Sequence, residues 1–337
     1  MLVHRLVQHV TLAQVPADVA GQWEKAAAVL VAAAVPADPE LPAVWPVFAV
    51  LLPHGRAVLD LTSDGMCRIA EYVGDSGSRQ AARDLWQLIA DAHTEDDVYG
   101  PEHPDTLMAR NNFAYWTGQA GDAAAARDQH AALLPIMERV LGPEHPATLD
   151  ARVNLAYWTG EAGDPAAARD LSAALLPVDE RVLGPEHRGT LTAWHELAYW
   201  TGEAGDAAAA RDLFTALLPV RERVLGPEHP RTLTVRANLA RWAGEAGDPA
   251  AARDLYAELL PVRERVSGPE HPDTLNARDS FARWTGEAGD PAAARDLHAA
   301  LLPVDERVLG PEHPATLTDR HELARWTGKA DGAPSTA

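Results

Sequence analysis

The chain has 337 residues, and its 29 Lys and Arg against 49 Asp and Glu give a formal net charge of −20. Nucleic-acid backbones and anionic membranes bind basic protein surfaces, and a chain this acidic has little basic surface. Neither nucleic acid nor a membrane is therefore expected as a partner. The single cysteine, Cys67, excludes an internal disulfide and a cysteine-rich zinc site. No apolar run is long enough to predict a membrane span and no signal-peptide pattern is present, which favours a cytoplasmic location.

The N-terminal part of the chain divides into three segments that precede a regular pattern. Residues 1–15 form a short segment of their own, and residues 16–62 are predicted to be a helical linker region. Within this region an alanine-rich amphipathic stretch predicts a helix over 19–35, four prolines interrupt the chain, and a short helix follows over 47–59. Residues 63–99 echo the later repeats and are predicted to form a degenerate repeat that caps them.

The string Gly-Pro-Glu-His recurs every 42 residues from Gly100 onward. Five complete repeats, numbered 1 to 5 here, fill residues 100–309, and a half repeat covers 310–329. The polar tail at 330–337 is predicted to be disordered. A fixed period of this length is typical of proteins that stack helical repeats.

Each repeat predicts two helices, as repeat 2 illustrates. The first helix begins near Pro146, because proline suits a first helical turn, and Gly163 ends it in a left-handed conformation. Asp164 is the predicted N-cap of the second helix, which runs to the end of the repeat. No segment alternates with a period of two, so no strand is predicted. In repeat 3, Arg188-Gly189 replaces the usual proline and the residue after it, and this first turn is predicted to be the least regular.

A proline recurs inside each second helix and predicts a local distortion. Such a proline removes a backbone hydrogen bond and clashes with the preceding turn, at a cost of ~3 kcal/mol in a regular helix. A kink in each second helix is expected, with a break in the helix as the alternative. The prolines are Pro135, Pro177, Pro219, Pro261 and Pro303.

The repeat resembles the tetratricopeptide repeat, in the long form found in kinesin light chains and bacterial regulators. The matching residues in repeat 2 are Leu155-Ala156, Gly163-Asp164 and the small Ala168 where the two helices cross. The resemblance implies an all-α fold, a right-handed α-solenoid of stacked helical hairpins whose first helices line a concave groove. Stacking is physically reasonable, because one hairpin cannot bury its own apolar face.

The first residues, Val3-His4-Arg5-Leu6-Val7-Gln8, resemble the end of the winged-helix segment in NB-ARC (STAND-type) signalling ATPases of actinobacteria. This resemblance makes residues 1–15 a remnant of that segment and implies that the chain is the sensor part of such a system. The ATPase motor itself is not expected, because the chain has no Gly-x-x-x-x-Gly-Lys-Ser/Thr motif to hold phosphates.

The sequence contains no pattern that predicts catalysis. The zinc-protease motif His-Glu-x-x-His and the hydrolase motif Gly-x-Ser-x-Gly are both missing. The histidine of each Gly-Pro-Glu-His corner is predicted to help start a first helix rather than bind a metal. No enzyme activity, cofactor or metal is therefore expected. The repeated tryptophans are predicted to pack between helices: Trp116, Trp158, Trp200, Trp242, Trp284 and Trp326.

Residues that differ between the repeats mark a candidate binding surface. In repeat 2 the variable residues of the first helix are Asp150, Val153, Asn154 and Tyr157, whose spacing of i, i+3, i+4 and i+7 forms one stripe. The resemblance places this stripe in the concave groove. The alternative is neutral sequence drift at solvent-exposed residues that bind nothing. The candidate ligand-binding residues are Asn112, Tyr115, Asn154, Tyr157, His195, Tyr199, Asn238, Arg241, Asp279, Arg283, His321 and Arg325.

A second pair of variable residues lies on the second helix. These residues are predicted to be solvent-exposed and to vary by neutral drift. Its members are Ser172 and Asp179 in repeat 2, and Phe214 and Arg221 in repeat 3.

The stripe changes character along the chain, because its last residue is Tyr in three repeats and Arg in the following three. Tyrosine offers a ring for stacking, and arginine offers two parallel N–H donors for a carboxylate. The expected ligand is therefore an extended peptide or protein segment with aromatic and acidic residues. Pairing of each arginine with a nearby carboxylate, such as Asp279 or Glu322, is the alternative. The resemblance assigns Asn112, Asn154 and Asn238 to the ligand backbone, although Glu196, Ser280 and Glu322 interrupt this series.

The half repeat favours an alternative function, self-association or autoregulatory docking. Its helix lacks a partner, so one side, with Leu317, Leu323 and Trp326, is expected to pack on repeat 5 and the other to remain uncovered. The docking partner would be an ATPase domain or another copy of the chain.

Overall fold

The computed structural model describes residues 16–39 and 44–332, and in these ranges the chain forms helices, turns and bends without a strand. The predicted all-α class is therefore confirmed for the described residues. The winged-helix resemblance at Val3–Gln8 lies outside them. The helices are α1 Ala17–Ala34, α2 Trp45–Val58, α3 Asp64–Asp75, α4 Arg79–Glu95, α5 Pro104–Gln119, α6 Ala123–Val140, α7 Pro146–Glu161, α8 Pro165–Val182, α9 Arg188–Glu203, α10 Ala207–Leu225, α11 Pro230–Glu245, α12 Pro249–Val266, α13 Pro272–Glu287, α14 Pro291–Val308 and α15 Pro314–Gly332.

The chain forms two compact units, Met1–Trp158 and Thr159–Ala337, with the boundary inside α7. In the N-terminal unit each helix from α1 to α6 packs on its neighbour in sequence. In the C-terminal unit the helices from α8 to α15 do the same, and the first helices α9, α11, α13 and α15 also contact one another in series. Each unit is thus a stack of helical hairpins.

The repeated corner works as a helix cap, as the sequence predicts. The backbone N–H of Asp105 donates to His103 Nδ1 at 3.2 Å, and the matching bonds in the other five copies measure 3.1–3.3 Å. The second helix of repeat 2 is capped by Asp164, which accepts from Ala167 at 3.0 Å. In repeat 3, α9 begins at Arg188 with the same cap, so the expected irregular turn is wrong.

Tryptophans join successive repeats by filling glycine sockets. All six repeat tryptophans are buried, with 1–7% of their surface exposed, which confirms the packing prediction. A Cβ on Gly202 would lie 2.5 Å from the Trp242 ring, so only glycine leaves room for the indole. The other sockets pair Gly74 with Trp116, Gly118 with Trp158, Gly160 with Trp200, Gly244 with Trp284 and Gly286 with Trp326.

The C-terminal helix α15 packs through part of the predicted face. Trp326 is 1% exposed and fills the Gly286 socket, as expected. Leu317, which is expected to pack on repeat 5 as well, is 45% exposed and is therefore only partly covered. Gly328, the glycine equivalent to the sockets, meets nothing within 4 Å.

The second helices run without interruption through their prolines, so the alternative of a helix break is wrong. All five prolines are exposed. The rings thus lie on the solvent side of each helix, away from the packed face.

Candidate functional site

In each of the two units the variable residues of the first helices are partly exposed, and this set of residues is named the variable face here. Its residues lie on α5 and α7, and in the C-terminal unit on α9, α11, α13 and α15. The first stripe residue is exposed in most repeats, as at Met108 and Thr234, whereas the next ones are mainly half-buried. Half-burial orients these side chains while leaving part of each for a ligand.

In the N-terminal unit the variable face is aromatic. The Tyr115 ring meets the rings of Trp116 and Trp158 edge-on at 5.3 Å and 6.0 Å between centroids, and Tyr157 meets Trp158 at 4.8 Å. The Gln119 amide donates to the Tyr115 hydroxyl at 3.2 Å. Asn112 and Asn154 are half-buried on the same stripe. The tyrosine rings are thus held in place by the buried tryptophans.

In the C-terminal unit the three candidate arginines are paired with carboxylates. Arg241 bridges to Glu203 at 2.8 Å and Arg283 to Glu245 at 2.9 Å. Arg325 pairs with both Glu287 and Glu322. Each guanidinium also lies over the indole of the following tryptophan, at 4.3–4.5 Å from the ring centroid. The positive charges of the three arginines are therefore largely neutralised by carboxylates of the same chain.

The second variable pair is buried, so the prediction of solvent-exposed drift is wrong. Ser172 and Asp179 are each 1% exposed, Phe214 is 0% exposed and Arg221 is 3% exposed. In repeats 3 to 5 these second-helix residues lie beneath the variable face and are named the floor residues. They are Phe214, Arg221, Tyr256, Arg263, His298 and Asp305. The variable face and its floor thus change together from repeat to repeat.

The floor of repeat 3 carries a basic pocket. A cavity of about 220 Å³ is lined by Thr192, His195, Arg221, Arg231 and Thr234. The Arg221 guanidinium donates to the Leu191 carbonyl at 2.7 Å, its Nε has no hydrogen-bond partner, and no carboxylate of the described chain pairs with it. A buried cation without a counter-ion is costly, so this pocket favours an anionic group.

Burial and mutual repulsion shape the charges in this pocket. Burial and the neighbouring positive charge of Arg231 lower the pKa of Arg221 to about 10, so it stays charged at neutral pH. Burial and Arg221 lower the pKa of His195 to about 4, which leaves the imidazole neutral. His195 Nε2 lies 3.4 Å from the Asn238 amide nitrogen and its ring meets Phe214 at 5.2 Å. His195 thus contributes polarity rather than charge.

The next two floors differ from the first. In repeat 4 a cavity of about 170 Å³ contains Arg263, which is paired with Asp273 at 2.9 Å, and Tyr256, which donates to the Ala237 carbonyl at 3.1 Å. In repeat 5 the floor is acidic, with His298 and Asp305 next to Asp279 and Asp319. The floor therefore passes from basic through neutral to acidic along this unit.

Stacked hairpins, tryptophans buried against helix glycines and first helices with variable residues define a helical repeat scaffold. The chain belongs to the tetratricopeptide repeat family, whose model matches residues 106–181, 189–265 and 246–306, more than half of the sequence. Repeat scaffolds of this kind are non-catalytic and mediate protein interactions. No curated protein matches the chain. Among the described helices, none combines the length and apolar character needed to cross a membrane.

Solved structures agree with this fold. A kinesin light chain of Podosopora anserina with nearly identical TPR-like repeats is 24% identical, with a TM-score of 0.54, over 61% of this chain and 97% of that one. NprR in complex with its cognate peptide NprX is 11% identical, with a TM-score of 0.53, over 84% and 76%. A Rap protein complexed with Competence and Sporulation Factor is 11% identical, with a TM-score of 0.52, over 87% and 82%. The predicted solenoid class is thereby confirmed.

Proposed function

We propose that this protein is a non-catalytic scaffold that binds an extended peptide or protein segment along its variable face. The observation that carries the proposal is the basic pocket, where buried Arg221 lies beneath Thr192 and Thr234 without a carboxylate partner. An acidic side chain or a terminal carboxylate of the ligand fits this pocket, because a charge-assisted hydrogen bond would satisfy the free Nε. Similar folds include the peptide complex of NprR.

The remaining candidate residues have distinct proposed roles. In the N-terminal unit, Tyr115 and Tyr157 offer aromatic edges to apolar ligand residues, while Asn112 and Asn154 offer amides to the ligand backbone. In the C-terminal unit the proposed contacts are Tyr199, Asn238, Arg241, Arg283, His321 and Arg325, with Asp279 beside them. The paired arginines would exchange their intramolecular carboxylates for those of the ligand, so they contribute specificity more than affinity.

The matched substitution Arg221→Met tests the pocket. Repeat 1 carries Met137 at the equivalent site, fully buried, so methionine is compatible with this fold. Arg223→Ala is the control, because Arg223 is an exposed arginine of the same helix that pairs with Glu186. The probe is a random-peptide display library selected on the full chain, with enriched peptides measured by fluorescence anisotropy.

Enriched peptides should carry acidic residues or a free C-terminus. Arg221→Met should weaken their binding by about 10-fold or more, as expected when a hydrogen bond to a charged group is lost. Arg223→Ala should leave binding unchanged. Failure to enrich any peptide, or equal binding by wild type and Arg221→Met, contradicts the proposal.

A sensor role in a signalling ATPase system is the finer form of this proposal. It rests on the resemblance of Val3–Gln8 to a winged-helix segment of NB-ARC ATPases. The experiment is to sequence the flanking genomic DNA. An adjacent or in-frame NB-ARC coding region supports the role, and its absence removes the support.

The alternative function is docking on an ATPase domain or on a second copy of the chain. It is favoured by exposed Leu317 and by Gly328, the one socket glycine of the described repeats that receives no indole. Sedimentation velocity over a concentration series should then show association that Leu317→Asp weakens. A strict monomer at high concentration contradicts self-association.

A further inference from the structure

Three ionisable side chains from three helices converge at the acidic floor of the C-terminal unit. Asp279 lies on α13, His298 on α14 and Asp319 on α15. His298 Nδ1 is 3.1 Å from Asp319 Oδ1 and 3.8 Å from Asp279 Oδ1. One ligand atom of each residue lies within 4.8 Å of the other two. These residues are named the Asp–His–Asp cluster.

Two of the three residues are buried, and three polar atoms of the cluster have no hydrogen-bond partner, although His298 Nδ1 pairs with Asp319 Oδ1. His298 has a 0% exposed side chain and Asp319 a 2% exposed one. Asp279 Oδ1, Asp319 Oδ2 and His298 Nε2 are buried without a hydrogen-bond partner. Buried polar groups of this kind are normally paired, and an unpaired carboxylate is especially costly. The unpaired atoms of Asp279 and Asp319 therefore leave room for a further partner.

Negative charge is in excess around the cluster. Asp305 is buried next to Asp319, and Glu322 adds its charge to both aspartates, with Arg325 as the nearby cation. Burial, then the contact with Asp319, raises the pKa of Asp279 to about 7. Burial, then the contact with Asp305, raises the pKa of Asp319 to about 7. A bound cation would offset this excess.

The cluster is a local departure from the repeat. At the site of Asp319 the earlier repeats carry small apolar packing residues: Ala109, Ala151, Ala193, Val235 and Ala277. At the site of His298 they carry His130, Ser172, Phe214 and Tyr256. Since alanine satisfies the packing in four repeats, the helices do not require an aspartate here.

We propose that the Asp–His–Asp cluster binds a divalent transition-metal ion, Zn²⁺ by preference, through His298 Nδ1 and one carboxylate oxygen each of Asp279 and Asp319. Mixed imidazole and carboxylate ligands suit Zn²⁺, whereas Mg²⁺ and Ca²⁺ prefer oxygen alone. Ligand atoms of a tetrahedral zinc ion lie about 3.3 Å apart when the bonds are 2.0–2.1 Å. The two separations from His298 Nδ1, 3.1 and 3.8 Å, are close to this value, and the two carboxylate oxygens lie within 4.8 Å of each other.

Surrounding residues complete the site. The Asp279 side chain is 34% exposed although its Oδ1 is buried, so an ion would enter beside this residue from the variable face. Asp305 contacts Asp319 and would orient it as an outer-shell partner. The proposal does not depend on peptide binding.

The experiment is calorimetric titration of the tag-free full chain with Zn²⁺, repeated with Co²⁺ and read by visible absorption. The test variants are Asp319→Ala and His298→Phe, which restore residues found at the same sites of other repeats. The control is His130→Phe, because His130 is equally buried at the equivalent site of repeat 1 but is accompanied there by Asn111, Met137 and Ala151.

Wild type and His130→Phe should bind one ion per chain with equal affinity, whereas Asp319→Ala and His298→Phe should lose more than ~100-fold. Circular dichroism should show both variants folded, and Zn²⁺ should raise the Tm of wild type but not theirs. Absence of saturable binding to wild type overturns the proposal. Equal binding by Asp319→Ala also overturns it, because the ion would then sit on surface histidines such as His313 and His321.

Discussion

The tryptophan sockets predict that one substitution has opposite effects at two equivalent sites. In Gly202→Ala the new Cβ would lie 2.5 Å from three ring carbons of Trp242, which is 3% exposed. In Gly328→Ala the Cβ meets nothing within 4 Å. Both glycines are inside helices, where alanine is favoured over glycine by about 1 kcal/mol.

The magnitudes decide the sign at each site. Gly328→Ala should stabilise the chain by up to about 1 kcal/mol, because only helix propensity changes. In Gly202→Ala the same gain is opposed by overpacking, which costs about 1–3 kcal/mol in a filled core. The two variants should therefore differ in free energy of unfolding by about 1–3 kcal/mol, with Gly202→Ala the less stable.

Urea unfolding followed by circular dichroism measures this difference. A double-mutant cycle with Trp242→Leu isolates the cause, because the penalty of Gly202→Ala should shrink once the indole is gone. Equal midpoints for Gly202→Ala and Gly328→Ala would refute the socket reasoning. A penalty of Gly202→Ala that persists in full in the Trp242→Leu background would refute it as well.

Two further predictions concern charge. With a metal chelator present, the free energy of unfolding of wild type should fall as the pH rises from about 4 towards 7, because Asp279 and Asp319 hold protons in the native state that they release when unfolded. The Tm of Asp319→Ala should depend less on pH than the Tm of wild type. Parallel dependence of the two Tm values on pH would contradict this. In peptide binding measured by anisotropy, Arg283→Ala should weaken acidic peptides by less than about 1 kcal/mol, with little effect on Tm, because Glu245 already pairs with Arg283 in the free protein. Equal binding by wild type and the Arg241/Arg283/Arg325 triple alanine variant at low and high salt would show that these arginines serve only their intramolecular pairs.

The regular part of the fold was accessible from the sequence because its signals are local. Asp164 and the Gly163 turn define where the second helix begins, and the His145 corner does the same for α7. Each of these contacts spans a few residues, so it can be read without knowing the tertiary structure. The 42-residue period then carries the assignment through every copy.

The prediction that Ser172 and Asp179 are solvent-exposed is wrong because residues that vary between repeats can be buried. Ala168, Ser172, Leu175 and Asp179 are spaced four, three and four residues apart, so they share one helical stripe. Two of them are invariant packing residues, and this spacing was the available sign that Ser172 and Asp179 are buried as well. Variable residues inside a repeat protein can therefore belong to its core.

The Asp–His–Asp cluster could not be found from a motif. Its members come from three helices, and His298 and Asp319 are 21 residues apart. The six Gly-Pro-Glu-His histidines, on which the prediction of no metal rests, recur singly and cap helices. The one available sign was Asp319 itself, an acidic residue where the five earlier repeats carry Ala or Val.

The order of the floors gives the proposed binding surface a direction. Its frame is uniform, because the same caps and sockets recur in each repeat, so the frame alone cannot distinguish one end of an extended ligand from the other. The floor residues can distinguish the two ends of a ligand, because they differ between repeats. Repeat 3 has the unpaired Arg221, repeat 4 has the paired Arg263, and repeat 5 has the acidic cluster around Asp319. Among the floors, a ligand carboxylate would meet an unpaired cation only at the first, and at the last it would meet excess negative charge unless a cation fills the cluster. Metal bound to the Asp–His–Asp cluster would then determine whether an anionic part of the ligand can bind at the acidic end of the surface. The proposed metal site and the proposed ligand-binding surface would thus be coupled through charge alone.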